Sequence, residues 1–387
     1  MDDLFFNQDH IMIQDMVREF AESQIMPIAG ELDKEEKFPT KLVKQMSELG
    51  LMGINVPEKY GGTGLDMVAY ATAVMELARA DASVAITMAA HTSLGTLPIL
   101  LLGSEKQKVT YLPKLASGEL IGAFGLTEPE AGSDASSTKT MAVKKGDEYI
   151  VNGGKIFITN AGKAGLISFT SQIEHDGKIK GVGAFIIPAD TEGLEIGPKE
   201  KKMGWRASDT RQLFFRNMKI PSSAMLGEPT DGFRTFLKTL TSGRISIGAL
   251  AVGTAQGAYE QALKYSTERE AFDKPIYKFQ SVSFKLADMA TDIEASKLLV
   301  YHAAWMKDQN KNIVKKAAMA KLFASETAMR VTTDAIQIHG GYGYVKGYEV
   351  ERYFRDAKIL EIGEGTSEIQ RLIIAREIIK ELQNNAI

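Results

Sequence analysis

The sequence predicts an α+β protein in three successive parts: a helical first third, a small antiparallel β segment and a helical final third. Three observations predict it. Apolar residues recur at helical spacing through the first third. Near Leu120 glycines rise, and short β-branched and aromatic runs take over. From Asp231 long helical runs return with few prolines. The boundaries read this way are 1–121 for an N-terminal all-helical domain, 122–230 for a middle, β-barrel-like domain, and 231–387 for a C-terminal four-helix bundle. A chain of 387 residues exceeds the usual size of one domain, and 44% hydrophobic residues supply large cores.

In order, Asp9 to Ile28 reads as a helix ending near Pro27, and Thr40 to Leu49 as a shorter one closed by Gly50. Glycines and Pro57 break the run LGLMGINVPEKYGGTGLD. Tyr70 to Arg79 is helical. Ala82 to Leu102 is so nearly uncharged that its helix must be buried on most sides. Ser104 and Gln107 form a capping box for the helix that follows. The strands are Tyr149 to Val151, Ile156 to Ile158, Ile167 to Phe169, Gly183 to Ile187 and Arg211 to Phe215, with turns expected at Lys145-Gly146-Asp147 and Asn152-Gly153-Gly154. Helices follow over Gly232 to Arg269, Lys278 to Met306, Lys311 to Ile338 and Ser367 to Asn384. A capping box of Ser367 and Gln370 is expected to start the last one.

Composition excludes several functions. A formal charge of -3 implies no nucleic-acid surface. Cysteine is absent, which removes disulfides, thiolate nucleophiles and cysteine metal sites and fits a reducing compartment. The acidic start MDDLFFNQDH lacks the features of a secretory signal, and no uninterrupted apolar stretch suggests a membrane span, so a cytoplasmic protein is expected. The histidines His10, His91, His175, His302 and His339 form no metal spacing, and no metal is expected. GxSxG, the P-loop and strand-GxGxxG-helix are all missing.

Five places could carry chemistry. In FGLTEPEAGSD, Thr127, Gly132 and Ser133 offer donors that could cradle a polar ring edge or phosphate, or simply form a turn between domains. In NGGKIFITN, Phe157 and Thr159 share a strand face and could meet a flat heterocycle, or be core and edge. Arg269 and Gln280 suit a pyrophosphate, or Arg269 pairs with a neighbouring glutamate. In QIHGGYG, paired glycines permit close ligand approach, or only cap a helix. Glu364 lies between Gly363 and Gly365 just before the last helix. It is a plausible general base, or a glutamate favoured by the helix dipole.

The segments FGLTEPEAGSD, KIFITN, KMGWRASDT, ERxxF, QIHGGYGY and EGTSEIQRLI occur in this order over essentially the whole chain. Together they resemble the acyl-CoA dehydrogenase family, nearest its short-chain (butyryl-CoA) branch. The resemblance implies FAD, a homotetramer built as a dimer of dimers, electron-transfer flavoprotein as acceptor, and α,β-dehydrogenation of a saturated fatty acyl-CoA in fatty acid β-oxidation.

By motif, it implies that Phe124, Leu126, Thr127, Gly132 and Ser133 line the flavin or the thioester. Phe157, Ile158 and Thr159 would lie along the isoalloxazine. Arg269, Phe272 and Gln280 would reach FAD from a neighbouring subunit, Gln337, Gly340 and Gly341 would form the next FAD segment, and Thr366 and Glu368 would complete it. Thr241, Arg244, Gly363 and Gly365 would lie on the substrate side. Glu364 matches the catalytic glutamate of the short- and medium-chain branches. Isovaleryl- and long-chain-type members carry the base just before the arginine matching Arg244, where this chain has Gly243.

One departure is Gly363, where short-chain members have Tyr. It leaves open chain length and branching, and a branched-chain dehydrogenase is the alternative. An oxidase would use oxygen directly. A non-catalytic acyl-CoA-binding scaffold would need neither Glu364 nor bound FAD.

Overall fold

The computed structural model describes residues 5–385. Residues 1–4, part of the acidic N-terminal stretch, lie outside the described residues. The helices of the first part are α1 (Gln8–Phe20), α2 (Met26–Glu35), α3 (Thr40–Glu48), α4 (Met67–Ala80), α5 (Ala82–Ala89), α6 (Leu97–Leu102) and α7 (Glu105–Ala116).

Pro27 does not end the first helix, contrary to the expectation. The chain continues through a π-helical segment, Ala21–Ile25, into α2. Pro98 likewise follows a π segment, Ala90–Thr96, that joins α5 to α6. A proline cannot donate its amide and crowds the carbonyl four residues back. Widening the turn just before it relieves both problems without breaking the rod. The capping box of Ser104 and Gln107 is present at α7.

The run Ala82–Leu102 is long and apolar enough to cross a bilayer by length and composition, yet 78% of its most apolar window is buried inside the protein. It is a core helix here. Within it His91 is fully buried: Nδ1 accepts from the Gly122 N–H at 2.9 Å, and Nε2 donates toward the Leu115 and Met52 carbonyls. Burial keeps this imidazole neutral, its pKa lowered to about 4.

The middle part holds β1 (Gly122–Gly125), β2 (Met141–Lys145), β3 (Glu148–Thr159), β4 (Leu166–His175), β5 (Lys178–Pro188), β6 (Leu194–Ile196), β7 (Thr210–Pro221) and β8 (Met225–Leu226). Seven of them run in the order β6-β7-β3-β2-β4-β5-β8, with β1 added on β4. Most neighbours are antiparallel, but β1 and β2 both pair with β4 in parallel. The turn at Gly146-Asp147 closes the β2–β3 hairpin. Asn152-Gly153-Gly154 is not a turn. It lies inside β3, where Gly153 (φ 136°) marks a register shift against β7.

The third part holds α8 (Gly232–Glu268), α9 (Gln280–Asp308), α10 (Val314–His339), the short α11 (Gly341–Tyr344), α12 (Glu349–Ala357) and α13 (Ser367–Asn385). Helix α8 is the axis of the protein, packing on α10 and α9 and also on α4 of the first part. One large apolar cluster therefore runs through both helical parts. A second cluster fills the sheet, and a third lies where β1, β5 and β8 meet α7 and α8. Ion pairs pin α12 to the first part: Arg352 to Asp81 at 2.6 Å, and Arg355 to Asp33 at 2.7 Å.

The approach of α8 to α4 depends on the absence of a side chain. A Cβ built on Gly253 would lie 2.2 Å from the Met75 carbonyl oxygen. Gly253→Val therefore forces the two helices apart, and overpacking of this kind costs about 1–3 kcal/mol. Thermal unfolding of the purified variant checks this; a midpoint equal to that of the parent would show that the close approach is dispensable.

Candidate active site

After α12 a single 3-10 turn, Lys358–Glu361, leads to Glu364 and Gly365, which both adopt positive φ (53° and 94°). A non-glycine residue in this conformation costs on the order of 1 kcal/mol. The turn aims the Glu364 side chain inward. The residue is half-buried as a whole, yet Oε2 is closed to solvent and has no hydrogen-bond partner.

The carboxylate occupies a notch on α8. A Cβ built on Gly243 would lie 2.0 Å from Glu364 Oε2. Any side chain at 243 would contest that volume, so the two alternative positions for a base compete for one space.

Burial raises the Glu364 pKa to about 7, against the pull of Lys321 and then Arg244. Arg244 is buried, its Nε has no partner, and Nη1 makes only a 3.4 Å hydrogen bond to the Thr241 hydroxyl. Burial also lowers the Arg244 pKa. Lys321, on α10, is fully buried and donates to the Gly365 carbonyl at 2.8 Å; desolvation brings its pKa down to about 8. Among the described residues, the Glu364 backbone N–H has no acceptor.

Helix α13 begins at Ser367 as expected, but the cap differs. The Ser367 hydroxyl is buried without a partner, while the Thr366 side chain accepts from the Ile369 N–H at 3.4 Å. The Gln370 side chain donates instead to the carbonyls of Gly365 at 2.8 Å and Glu364 at 3.4 Å. The expected reciprocal box is therefore replaced by a cap from Thr366 and a clamp on the preceding turn. Glu368 is exposed, and hydrogen bonds from its own backbone and from Thr366 lower its pKa.

The other motifs fall into two groups. On the sheet side, Phe157 (φ 61°) is 63% exposed, and Thr159 on the same strand face is half-buried. Ile158 between them points into the sheet core. Gly132 and Ser133 are exposed and Thr127 is half-buried, whereas Phe124 and Leu126 are buried, Phe124 stacking on Phe236 at 4.2 Å.

In the second group, Arg269 lines a cleft of about 480 Å³ with Tyr265, His339, Gly340, Gly341 and Tyr342. Arg269 is exposed and makes no carboxylate pair among the described residues; it lies over the Tyr342 ring at 5.7 Å. Side chains built on Gly340 and Gly341 would meet nothing within 4 Å, so this backbone is open to a ligand. An exposed cation beside open glycine backbone fits a phosphate-bearing cofactor. Phe272, Gln280 and Gln337 are exposed nearby in sequence but do not line this cleft, and neither does Glu364.

Sequence reading missed the supports. Lys155 is a fully buried lysine in β3 that donates to Glu128 at 2.7 Å and to the Leu126 carbonyl at 3.2 Å, while Glu128 accepts from the Thr140 N–H. This pair braces the loop that carries Thr127. Lys321 was missed as well, although it falls in register with Ala317, Ala324 and Ala328 on the buried face of α10. A lysine on an alanine stripe is the signal.

The chain also matches known proteins. Residues 7–119, 123–218 and 230–379 match the N-terminal, middle and C-terminal domains of acyl-CoA dehydrogenase. A probable acyl-CoA dehydrogenase of Bacillus subtilis is 51% identical over 371 residues, 95% of this chain and 97% of the relative. The structure of butyryl-CoA dehydrogenase from Megasphaera elsdenii superposes with a TM-score of 0.94 at 44% identity, covering 97% of this chain and 99% of that one. An acyl-CoA dehydrogenase from Bacillus anthracis solved in complex with FAD gives a TM-score of 0.92 at 35% identity, covering 99% of this chain and 70% of that one. With matches along nearly its whole length, the chain belongs to the acyl-CoA dehydrogenase family.

Proposed function

We propose that this FAD-dependent acyl-CoA dehydrogenase uses Glu364 as the base that removes the α-proton of a short- to medium-chain saturated acyl-CoA, giving the trans-2-enoyl-CoA. One observation carries the reading: a carboxylate oxygen with neither solvent nor hydrogen-bond partner, its pKa raised by burial to about 7. A base matched to neutral pH is what general-base catalysis favours. The free Glu364 N–H offers a donor to the thioester oxygen, so negative charge developing there is stabilised more than the ground state is. Arg244 and Lys321 add positive potential behind it. FAD, when bound, supplies the acceptor for the β-hydrogen.

The residues fit FAD in two places. Exposed Phe157 and half-buried Thr159 offer an aromatic face and a hydroxyl to a flat ring, and Arg269 with Gly340 and Gly341 suits the pyrophosphate. Because the Arg269 cleft does not include Glu364, we read it as serving a flavin held mainly by a second subunit. Exposed apolar side chains, among them Phe272 at 88% and Tyr344 at 85%, support the homotetramer. Electron-transfer flavoprotein is the proposed acceptor and the cytoplasm the proposed location.

The acyl end has a second reading. Gly363 has negative φ, and a Cβ there would come no closer than 3.4 Å to any atom, so backbone and packing both admit a side chain. Glycine leaves room there, which favours a branched acyl group alongside a straight one.

In wild type, kcat/KM rises with pH through about 7, because Glu364 acts only once ionised and its pKa lies above the ordinary carboxylate range. Glu364→Gln retains FAD but slows flavin reduction by acyl-CoA by at least ~100-fold and loses that pH step. Reduction at the parental rate would falsify the role of Glu364.

Arg269→Ala weakens FAD binding ~10-fold or more through loss of a charge-assisted contact. The sedimenting mass is that of four chains. A variant that titrates with FAD like wild type, or a monomeric holoenzyme, rejects the intersubunit reading.

In a panel of butyryl-, isovaleryl-, 2-methylbutyryl-, hexanoyl- and octanoyl-CoA, turnover needs electron-transfer flavoprotein rather than oxygen alone. Gly363→Tyr lowers kcat/KM for the branched substrates ~10-fold relative to butyryl-CoA. An unchanged ratio shows that position 363 does not shape the acyl end.

A further inference from the structure

We infer that Lys321 is a positioning residue for Glu364: from inside the bundle its ammonium fixes the Glu364–Gly365 turn and holds positive charge beside the base. The inference rests on Glu364 being that base.

The argument begins with cost. Lys321 has 0% exposure, and its one hydrogen bond among the described residues goes to the Gly365 carbonyl at 2.8 Å. An ammonium has three protons to donate, and burying it with so few partners is costly. No carboxylate lies within ion-pair distance of it among the described residues. A bundle of α8, α9 and α10 would pack more favourably with an apolar side chain at this point of the alanine stripe. The cost therefore has to be offset by something this residue does, and its one hydrogen bond among the described residues is to the turn that aims Glu364.

That turn needs support. Glu364 and Gly365 are consecutive residues at positive φ, and Glu364 has no glycine freedom. Two buried side chains converge on the Gly365 carbonyl, Lys321 Nζ and Gln370 Nε2, each at 2.8 Å. With the carbonyl held from both sides, the peptide cannot flip without stranding an ammonium and an amide together. The Glu364 carboxylate then stays in the Gly243 notch.

Only Lys321 adds charge to this clamp. The titratable groups that bear on the pair come from four elements. Arg244 on α8 and Tyr70 on α4 act on Glu364 or feel it, and Glu361 in the preceding 3-10 turn and Glu326 on α10 act on Lys321. Lys321 is the strongest of the cationic influences on Glu364. Without it, the carboxyl would hold its proton to higher pH.

The test compares Lys321→Met, which keeps the stem and removes the charge and donor, with Gln370→Leu, which loosens the clamp and leaves charge unchanged. In the FAD-loaded tetramer, the protonated-carboxyl stretch of Glu364, assigned by its absence in Glu364→Gln, is followed against pH in the infrared without substrate. Flavin reduction is followed in parallel.

K321M moves the infrared midpoint up by about one pH unit or more and slows flavin reduction ~10-fold or more at pH 7, with the deficit shrinking at pH 9. Q370L slows reduction with its midpoint in place. A K321M midpoint that superimposes on wild type overturns the inference, as does a pH-independent loss of rate. Should K321M not fold, Lys321→Gln carries the same infrared measurement, and its failure to shift the midpoint is equally decisive. If E364Q reduces normally, the assignment of the base fails, and the infrared midpoint still reports whether Lys321 governs the carboxyl.

Discussion

A carboxyl group with one oxygen closed to water, in the field of two buried cations, is the constraint on which the rest of this structure depends. Left alone in an apolar site, Glu364 would stay protonated well above neutral pH. Exposed to water, it would be an ordinary weak base. The fold sets it between these limits through three elements that share no sequence neighbourhood. Helix α8 supplies the notch at Gly243 and the guanidinium of Arg244, α10 supplies Lys321, and the turn before α13 supplies the carboxylate. The rise from an ordinary 4.5 to about 7 means that the site disfavours the charged form by roughly 3 kcal/mol, even with both cations in place.

Holding that geometry requires a rigid frame, and the frame is built from close approaches. Gly253 lets α8 lie against the backbone of α4, and the ion pairs of Arg352 and Arg355 lock α12, just before the Glu364 turn, to the first part of the chain. The π segments before Pro27 and Pro98 keep two long rods continuous where prolines would otherwise break them. Residues far from the carboxylate thus fix the position of the helices that carry its neighbours.

Much of this was legible in the sequence. Periodicity found the long helices because their buried faces repeat every three or four residues, and α13 starts at Ser367 as the capping signal predicted, although the box itself does not form. It failed where local chemistry has two outcomes. Pro27 reads as a stop, yet a π turn absorbs it. Asn152-Gly153-Gly154 reads as a turn, yet pairing with β7 on both sides makes it a bulge. Ser367 and Gln370 have the spacing of a capping box, but the turn before the helix presents the Gly365 carbonyl, and the glutamine amide donates to it instead. The residues themselves singled out Glu364 and the glycine pair at 340–341, and the family resemblance added Arg244; the structure buries Arg244 and the Glu364 carboxylate and leaves the two glycines open. The buried lysines 155 and 321 went unnoticed because nothing local distinguishes a lysine that points inward from one in solvent, except the apolar stripe on which it stands.

The same balance explains why a site of this kind carries two cations rather than none or a direct ion pair. A carboxylate in contact with an ammonium gains a firm partner and a low pKa, as Glu128 does: Lys155, with help from the Thr138 hydroxyl and the Lys139 N–H, brings it down to about 2. Such a carboxylate is fixed and ionised but a poor proton acceptor. Glu364 lies within the field of Arg244 and Lys321 without an ion-pair contact to either, and its pKa of about 7 suits the proposed role of a base. The two glutamates of this chain differ in their partners: Glu128 is matched by an ion pair and several hydrogen bonds, whereas Glu364 Oε2 has none, and the proposed division between a structural carboxylate and a base rests on that difference.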